Sequence, residues 1–116
     1  MALRKFVERL TKPVEEIDRE NLEAWCEEQG TVPLDRVSLR QPVTVAGEVN
    51  SVRIVPRAGA DAFEATVQDG RGLLVAVFLG RRHIGGMTPG RRLLLEGVVT
   101  AEGRTRFMFN PVYTLR

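Results

Sequence analysis

The chain has 116 residues, 43% hydrophobic and 28% charged, with a formal net charge of +2, a balance that suits one globular domain with a modest core and excludes disordered or fibrous classes. No apolar run approaches the ~20 residues a membrane helix needs, and the charged start from Met1 to Arg9 lacks a signal peptide's apolar centre. A lone cysteine, Cys26, leaves no internal disulfide and no cysteine-cluster metal site, so a cytoplasmic protein is expected.

Leu3, Phe6, Val7 and Leu10 fall at i, i+3, i+4 and i+7, one apolar stripe of a short first helix. Thr11-Lys12-Pro13 interrupts it, because Pro13 disfavours a helical residue before it. Asp18 is an N-cap candidate for a second helix whose inner face is Leu22, Trp25 and Cys26, and Gly30 is placed to end it in a left-handed conformation. Neither helix is long enough to be stable alone. Docking on the rest of the protein is expected, with Trp25 as anchor. Thr31 to Pro42, bounded by prolines, reads as an extended connector that lays Leu34, Val37 and Leu39 on an outer surface. Residues 1–42 thus form a helical extension with its connector, and residues 43–116 the β barrel of the same domain.

The β unit opens with Val43, Val45, Gly47 and Val49 on one face at period two, after which the apolar phase shifts to Val52 and Ile54. A strand that changes phase is bulged or sharply bent, and Gly47 permits close, coiled packing. Pro56 to Asp61 reads as a turn-rich loop closing a first hairpin. Phe63, Ala65 and Val67 alternate with Glu64, Thr66 and Gln68, a half-buried strand. Asp69-Gly70-Arg71-Gly72 is a tight turn, with Asp69 bonding nearby backbone N–H groups. Leu73 to Leu79 is apolar on both faces, so the N-terminal helices, a partner or a ligand must cover its outside. Gly80 to Gly90, with its glycines and a proline, leaves room for little more than a turn. A fourth strand sets Leu93, Leu95, Gly97 and Val99 against Leu94, Glu96 and Val98. Glu102-Gly103 turns into a fifth strand, Arg104 to Asn110, and after Pro111 the segment Val112–Leu115 is a candidate edge. The fold class expected is mainly β: a five-stranded OB-type β-barrel with a short N-terminal α-helical extension.

The succession V-x-V-x-G-x-V, F-x-A-x-V-x-D-G-x-G, P-G-x-x-L-x-L-x-G-x-V and M-x-N-P resembles the OB-fold nucleic-acid-binding superfamily, in its anticodon-binding and helicase-wedge branches. It looks most like the wedge domain of RecG-type branch-migrating helicases. With its helical preface, nearly the whole chain is similar to small stand-alone OB-fold proteins of actinobacteria. The matching residues are glycines, a turn aspartate and apolar core positions, which specify a fold rather than a function. A helix common between the third and fourth strands of the superfamily has no counterpart here. The resemblance implies binding of single-stranded or junction DNA, or of RNA, without catalysis.

Charge is unevenly spread: residues 1–42 hold 7 Lys/Arg against 9 Asp/Glu, and residues 43–116 hold 10 Arg against 6 Asp/Glu. OB barrels bind strands across the face of strands two and three, between the first and last hairpins. That mapping selects Arg53 and Arg57 near the first hairpin, Arg71 in the D-G-R-G turn, and Arg104 and Arg106 near the last. Arginine tracks phosphates and also stacks on bases, so such a groove tolerates any sequence. With Met108 inward, Phe107 and Phe109 face outward and are free to stack bases; the opposite phase buries both. Arg81-Arg82-His83 is either a phosphate grip or a solvated turn. Lone His83 is no metal site, mid-helix Cys26 reads as an inert thiol, and no nucleophile, dinucleotide or P-loop motif appears. No enzyme activity, cofactor or metal is expected. A protein adaptor is the alternative, requiring a covered groove or a large exposed apolar patch.

Overall fold

The computed structural model describes residues 13–116; the apolar stripe of Leu3, Phe6, Val7 and Leu10 lies outside them. One α-helix, α1 (Val14–Glu28), and a 3₁₀ turn (Leu34–Arg36) precede the strands β1 (Pro42–Arg57), β2 (Ala60–Gln68), β3 (Leu73–Leu79), β4 (Arg92–Glu102), β5 (Thr105–Phe109) and β6 (Val112–Leu115). The strands pair in the order β1-β2-β3-β5-β4, and β1 pairs with β4 to close a ring of five. All pairings are antiparallel except β3 with β5, and β6 adds to β4 beside Leu93–Glu96. The protein is therefore mainly β, with a barrel-like closed ring. Among the described residues no helix is long and apolar enough to cross a membrane.

Helix α1 begins well before Asp18, more than a full turn earlier than that residue suggests. Pro13 occupies the N-cap and its carbonyl accepts from the N–H groups of Glu16 and Ile17. Proline suits a helix start, where its missing N–H leaves no bond unmade. Glu15 and Glu16 then occupy the first turn, where the helix dipole favours them. Gly30 ends the helix at φ +68°, as its position predicts. Leu22 and Cys26 are the buried anchors, packed on Ala46 of β1. Trp25 is only half-buried, its ring 5.2 Å from the Arg92 guanidinium, and does not serve as the main anchor.

The phase change in β1 is a bulge. Val49 pairs with Val67 and Ser51 with Thr66, so Asn50 is the extra residue. Val49 and Val52 consequently both turn toward the core. Gly47 is required by close approach: a Cβ there would lie 2.5 Å from Val67 Cγ1 and 2.7 Å from the Gln68 carbonyl oxygen. The first hairpin is tighter than expected. Arg57 pairs with Ala60, leaving Ala58 and Gly59 as a two-residue turn with φ +49° and +80°, the double left-handed pattern that matches strand twist. At the last hairpin Glu102 pairs with Thr105, so Arg104 sits in the turn rather than the strand.

Alternate residues of the ring fill one core: Val45 and Val49, Phe63, Ala65 and Val67, Leu74, Ala76 and Phe78, Leu93, Leu95 and Val99, and Met108. Two non-strand segments complete it. Leu34 and Val37 of the connector are core residues, not outer-surface ones, while Leu39 is exposed. Ile84 and Met87 of the β3–β4 loop are fully buried in the same cluster. That loop is thus a plug that contributes to the core, more than the simple turn its glycines suggest.

Candidate functional site

The outward positions of β1, β2, β3 and β5 form one face. Register places Arg53 opposite Glu64, Val55 opposite Ala62, Thr66 opposite Val75, and Val75 and Val77 opposite Phe107 and Phe109. Met108 points into the core, as the outward phase of the two phenylalanines requires. Phe107 is nevertheless buried, packed with Ala62, Val77 and Val75. It therefore offers no open ring for stacking. The same packing covers Val75 and Val77 in the middle of β3 with Phe107 of its neighbour β5, while Leu73 and Leu79 at its ends stay exposed. Phe109 is 36% exposed and is the ring left accessible.

Glu64 is the unexpected member of this face. Period two puts it on the polar side, yet it is only 1% exposed. Its Oε1 accepts from Arg53 Nε at 3.2 Å and Nη2 at 3.1 Å, and its Oε2 from Arg57 Nε at 2.7 Å. A carboxylate buried without partners is destabilising by several kcal/mol, on the order of 3–5; two arginines supplied by the facing strand remove that penalty. The Arg57 guanidinium in turn lies over both rings, 5.1 Å from the Phe107 centroid and 5.4 Å from that of Phe109. The rings themselves stack at 5.9 Å with 24° between planes.

At the other end of β3 an open cleft of about 640 Å³ is lined by Arg71, Arg104 and Arg106, and by Arg19 of α1. One carboxylate, Asp35, shares it, 3.2 Å from Arg71. Three of the five arginines selected by sequence therefore converge, while Arg53 and Arg57 sit farther along the same face, engaged by Glu64. Arg19 was missed because it belongs to the acidic extension; only the docking of α1 beside Gly70 brings it in, its Cγ 3.1 Å from where a Gly70 Cβ would be. Arg104 and Arg106 also line a hollow of about 130 Å³ with Thr66, Leu73 and Val75, which carries the cleft onto the outward face of β3. On the opposite flank Glu15, Asp18 and Glu48 share a depression with Arg19, so the positive cleft is bounded by carboxylates there.

The connector builds the cleft. Asp69 is buried, with Oδ1 accepting from the N–H groups of Arg71 and Gly72 at 2.9 Å and Oδ2 from Leu34 N–H at 2.8 Å. The Leu34 carbonyl accepts from Arg106 Nη1. One residue thus ties the D-G-R-G turn to the connector and fixes an arginine. Arg104 is exposed and has no ion-pair or hydrogen-bond partner among the described residues. Arg81 and Arg82 line neither cleft nor hollow; Arg82 pairs with Asp61 beside the first hairpin, and Arg81 and His83 are exposed.

Burial pushes the Cys26 thiol up to about 12, with the charge of Asp69 adding to the effect. A thiol held neutral is no nucleophile. Among the described residues no group of three or more His, Cys, Asp or Glu is arranged to hold a metal ion. Comparison with known proteins finds no family model that matches the chain, and no curated protein that matches it.

Proposed function

We propose that this chain is a non-catalytic binding module for single-stranded or junction DNA, or for RNA, on a five-stranded OB-type barrel. The observation that carries the reading is the open cleft in which Arg19, Arg71, Arg104 and Arg106 meet beside β3. Arg19 is paired with Glu23 at 3.5 Å and Arg71 with Asp35 at 3.2 Å, which leaves Arg104 and Arg106 without a carboxylate partner among the described residues. That excess of positive charge favours a polyanion, and the cleft leads onto a face that ends in partly exposed Phe109. A flexible single strand follows such a path more readily than a stiff duplex. The path offers guanidiniums for phosphate and one ring for stacking, contacts that every base and nucleotide can make, so low sequence preference is expected. Among the described residues the cleft is open rather than covered, which favours nucleic acid over an adaptor role.

Fluorescence anisotropy with labelled single-stranded DNA, single-stranded RNA, duplex and a forked junction tests this. Contacts to three or four phosphates predict a log K against log salt slope of about −2 to −3 on single strands. Arg104→Ala is expected to weaken binding and flatten that slope by about 0.7, with unchanged thermal stability. Absence of binding to every ligand at low salt overturns the proposal.

A further inference from the structure

The two ends of the face differ in how their arginines are held. At the cleft, Arg104 carries an uncompensated charge. At the far end, Arg57 and Arg53 share one buried carboxylate, Glu64. A phosphate approaching Arg57 would meet that carboxylate, whose Oε2 lies 2.7 Å from Arg57 Nε. The pair is ill suited to gripping phosphate. It suits a nucleobase much better. Arg57 uses Nε for Glu64 and sits over Phe107 and Phe109, while its two terminal amino groups have no hydrogen-bond partner among the described residues and its side chain is 25% exposed. Phe109 itself stays 36% exposed. A planar apolar surface edged with unused N–H donors accepts any base, since every base has a π-face and ring acceptors.

Resting on the nucleic-acid reading above, we infer that Arg57 and Phe109 form a seat for one unpaired nucleobase, with Glu64 as the residue that positions Arg57 there. The site is then divided: phosphates are held at Arg71, Arg104 and Arg106, and a base is stacked at the other end of β3. From Leu73 beside the cleft to Val77 opposite Phe109 is four residues, about 13 Å of strand rise, a span that a short oligonucleotide covers. Glu64 does two things in this arrangement. It holds Arg57 over the rings, and it withholds Arg57 and Arg53 from phosphate.

The test compares a labelled oligothymidine of about ten nucleotides with an abasic sugar-phosphate oligomer of equal length. The wild-type protein is expected to prefer the base-bearing strand at least about fivefold, the effect of one stacked base. Phe109→Ala removes that preference while leaving abasic binding and the salt slope unchanged. Glu64→Gln, close in shape but uncharged, lowers the preference and steepens the salt slope by up to about 0.7 for each arginine released to phosphate. A purely structural role for Glu64 predicts no steeper slope. Phe109→Ala with full preference, or Glu64→Gln with both preference and slope unchanged, overturns the inference. If Glu64→Gln does not fold, as judged by circular dichroism, the partly exposed Phe109→Ala decides alone. Equal wild-type affinity for the two oligomers, with normal salt dependence, removes the base seat and leaves the phosphate-binding function standing. Binding of neither oligomer removes both.

Discussion

Replacing Asp69 separates two tasks performed by one carboxylate. Its Oδ1 accepts two N–H groups inside the D-G-R-G turn, and its Oδ2 accepts the buried Leu34 N–H from 35 residues away. Asp69→Asn keeps an oxygen for the turn but presents an amide N–H₂ group to the Leu34 donor. A hydrogen bond to a charged group contributes about 1.5–3 kcal/mol, and a buried donor left unpaired costs a similar amount. Asp69→Asn should therefore lose about 2–3 kcal/mol. Asp69→Ala abandons all three bonds, but the turn N–H groups regain water, so about 3–5 kcal/mol is expected rather than three full increments. Against a typical total of about 5–15 kcal/mol, the alanine variant is close to the limit of folding. Urea unfolding followed by circular dichroism, and by the single tryptophan, Trp25, measures both variants. Equal losses for Asn and Ala, or a loss below about 1 kcal/mol for Asn, would refute the division of labour. Because Leu34 also anchors Arg106, Asp69→Asn should weaken the proposed nucleic-acid binding even at temperatures where it is fully folded.

Gly47→Ala should destabilise by about 2–3 kcal/mol, since one of the two atoms its Cβ meets is a backbone oxygen that cannot rotate away; a chemical denaturation midpoint reads it. Ala58→Gly is expected to stabilise by about 0.5–1 kcal/mol, because relief of the left-handed alanine exceeds the added unfolded-state entropy, and should raise Tm by a few degrees. Cys26 has its folded-state pKa raised from 9.0 to about 12. The neutral thiol's contribution is therefore complete below about pH 9 and is lost as pH rises toward 12, at up to about 1.4 kcal/mol per pH unit. Cys26→Ala should show a shallower alkaline loss of stability than the wild type, and native Cys26 should resist thiol reagents at pH 8 until urea is added.

Local pattern made much of the ring legible. The alternation from Phe63 to Val67, the phase change at Asn50, the left-handed Gly30 and the aspartate turn are all dictated by residues close together in sequence. Errors arose where a distant segment supplied the missing partner. Glu64 looks solvated by period two, and only the register of β1 reveals that Arg53 and Arg57 bury it. Leu34 and Val37 look like surface contacts of a proline-bounded connector, yet they are core because the Asp69 bond draws the connector in. Ile84 and Met87, in a stretch rich in glycine, carry no periodic signal at all. Within the candidate site, the basic character of Arg71, Arg104 and Arg106 was readable, whereas the inclusion of Arg19 and the covering of Phe107 depend on how α1 and β5 pack.

The long first strand has a consequence for how the molecule opens. Residues 42–48 pair with β4, and residues 48–57, apart from the bulged Asn50, pair with β2, so a single continuous backbone is the hinge pin of both halves. Neither half can detach while the other keeps its ladder intact, because the strand they share must leave with it. Amide protons of Val45 and Val52, on opposite sides of Asn50, should accordingly exchange through the same global opening, as members of one cooperative unit.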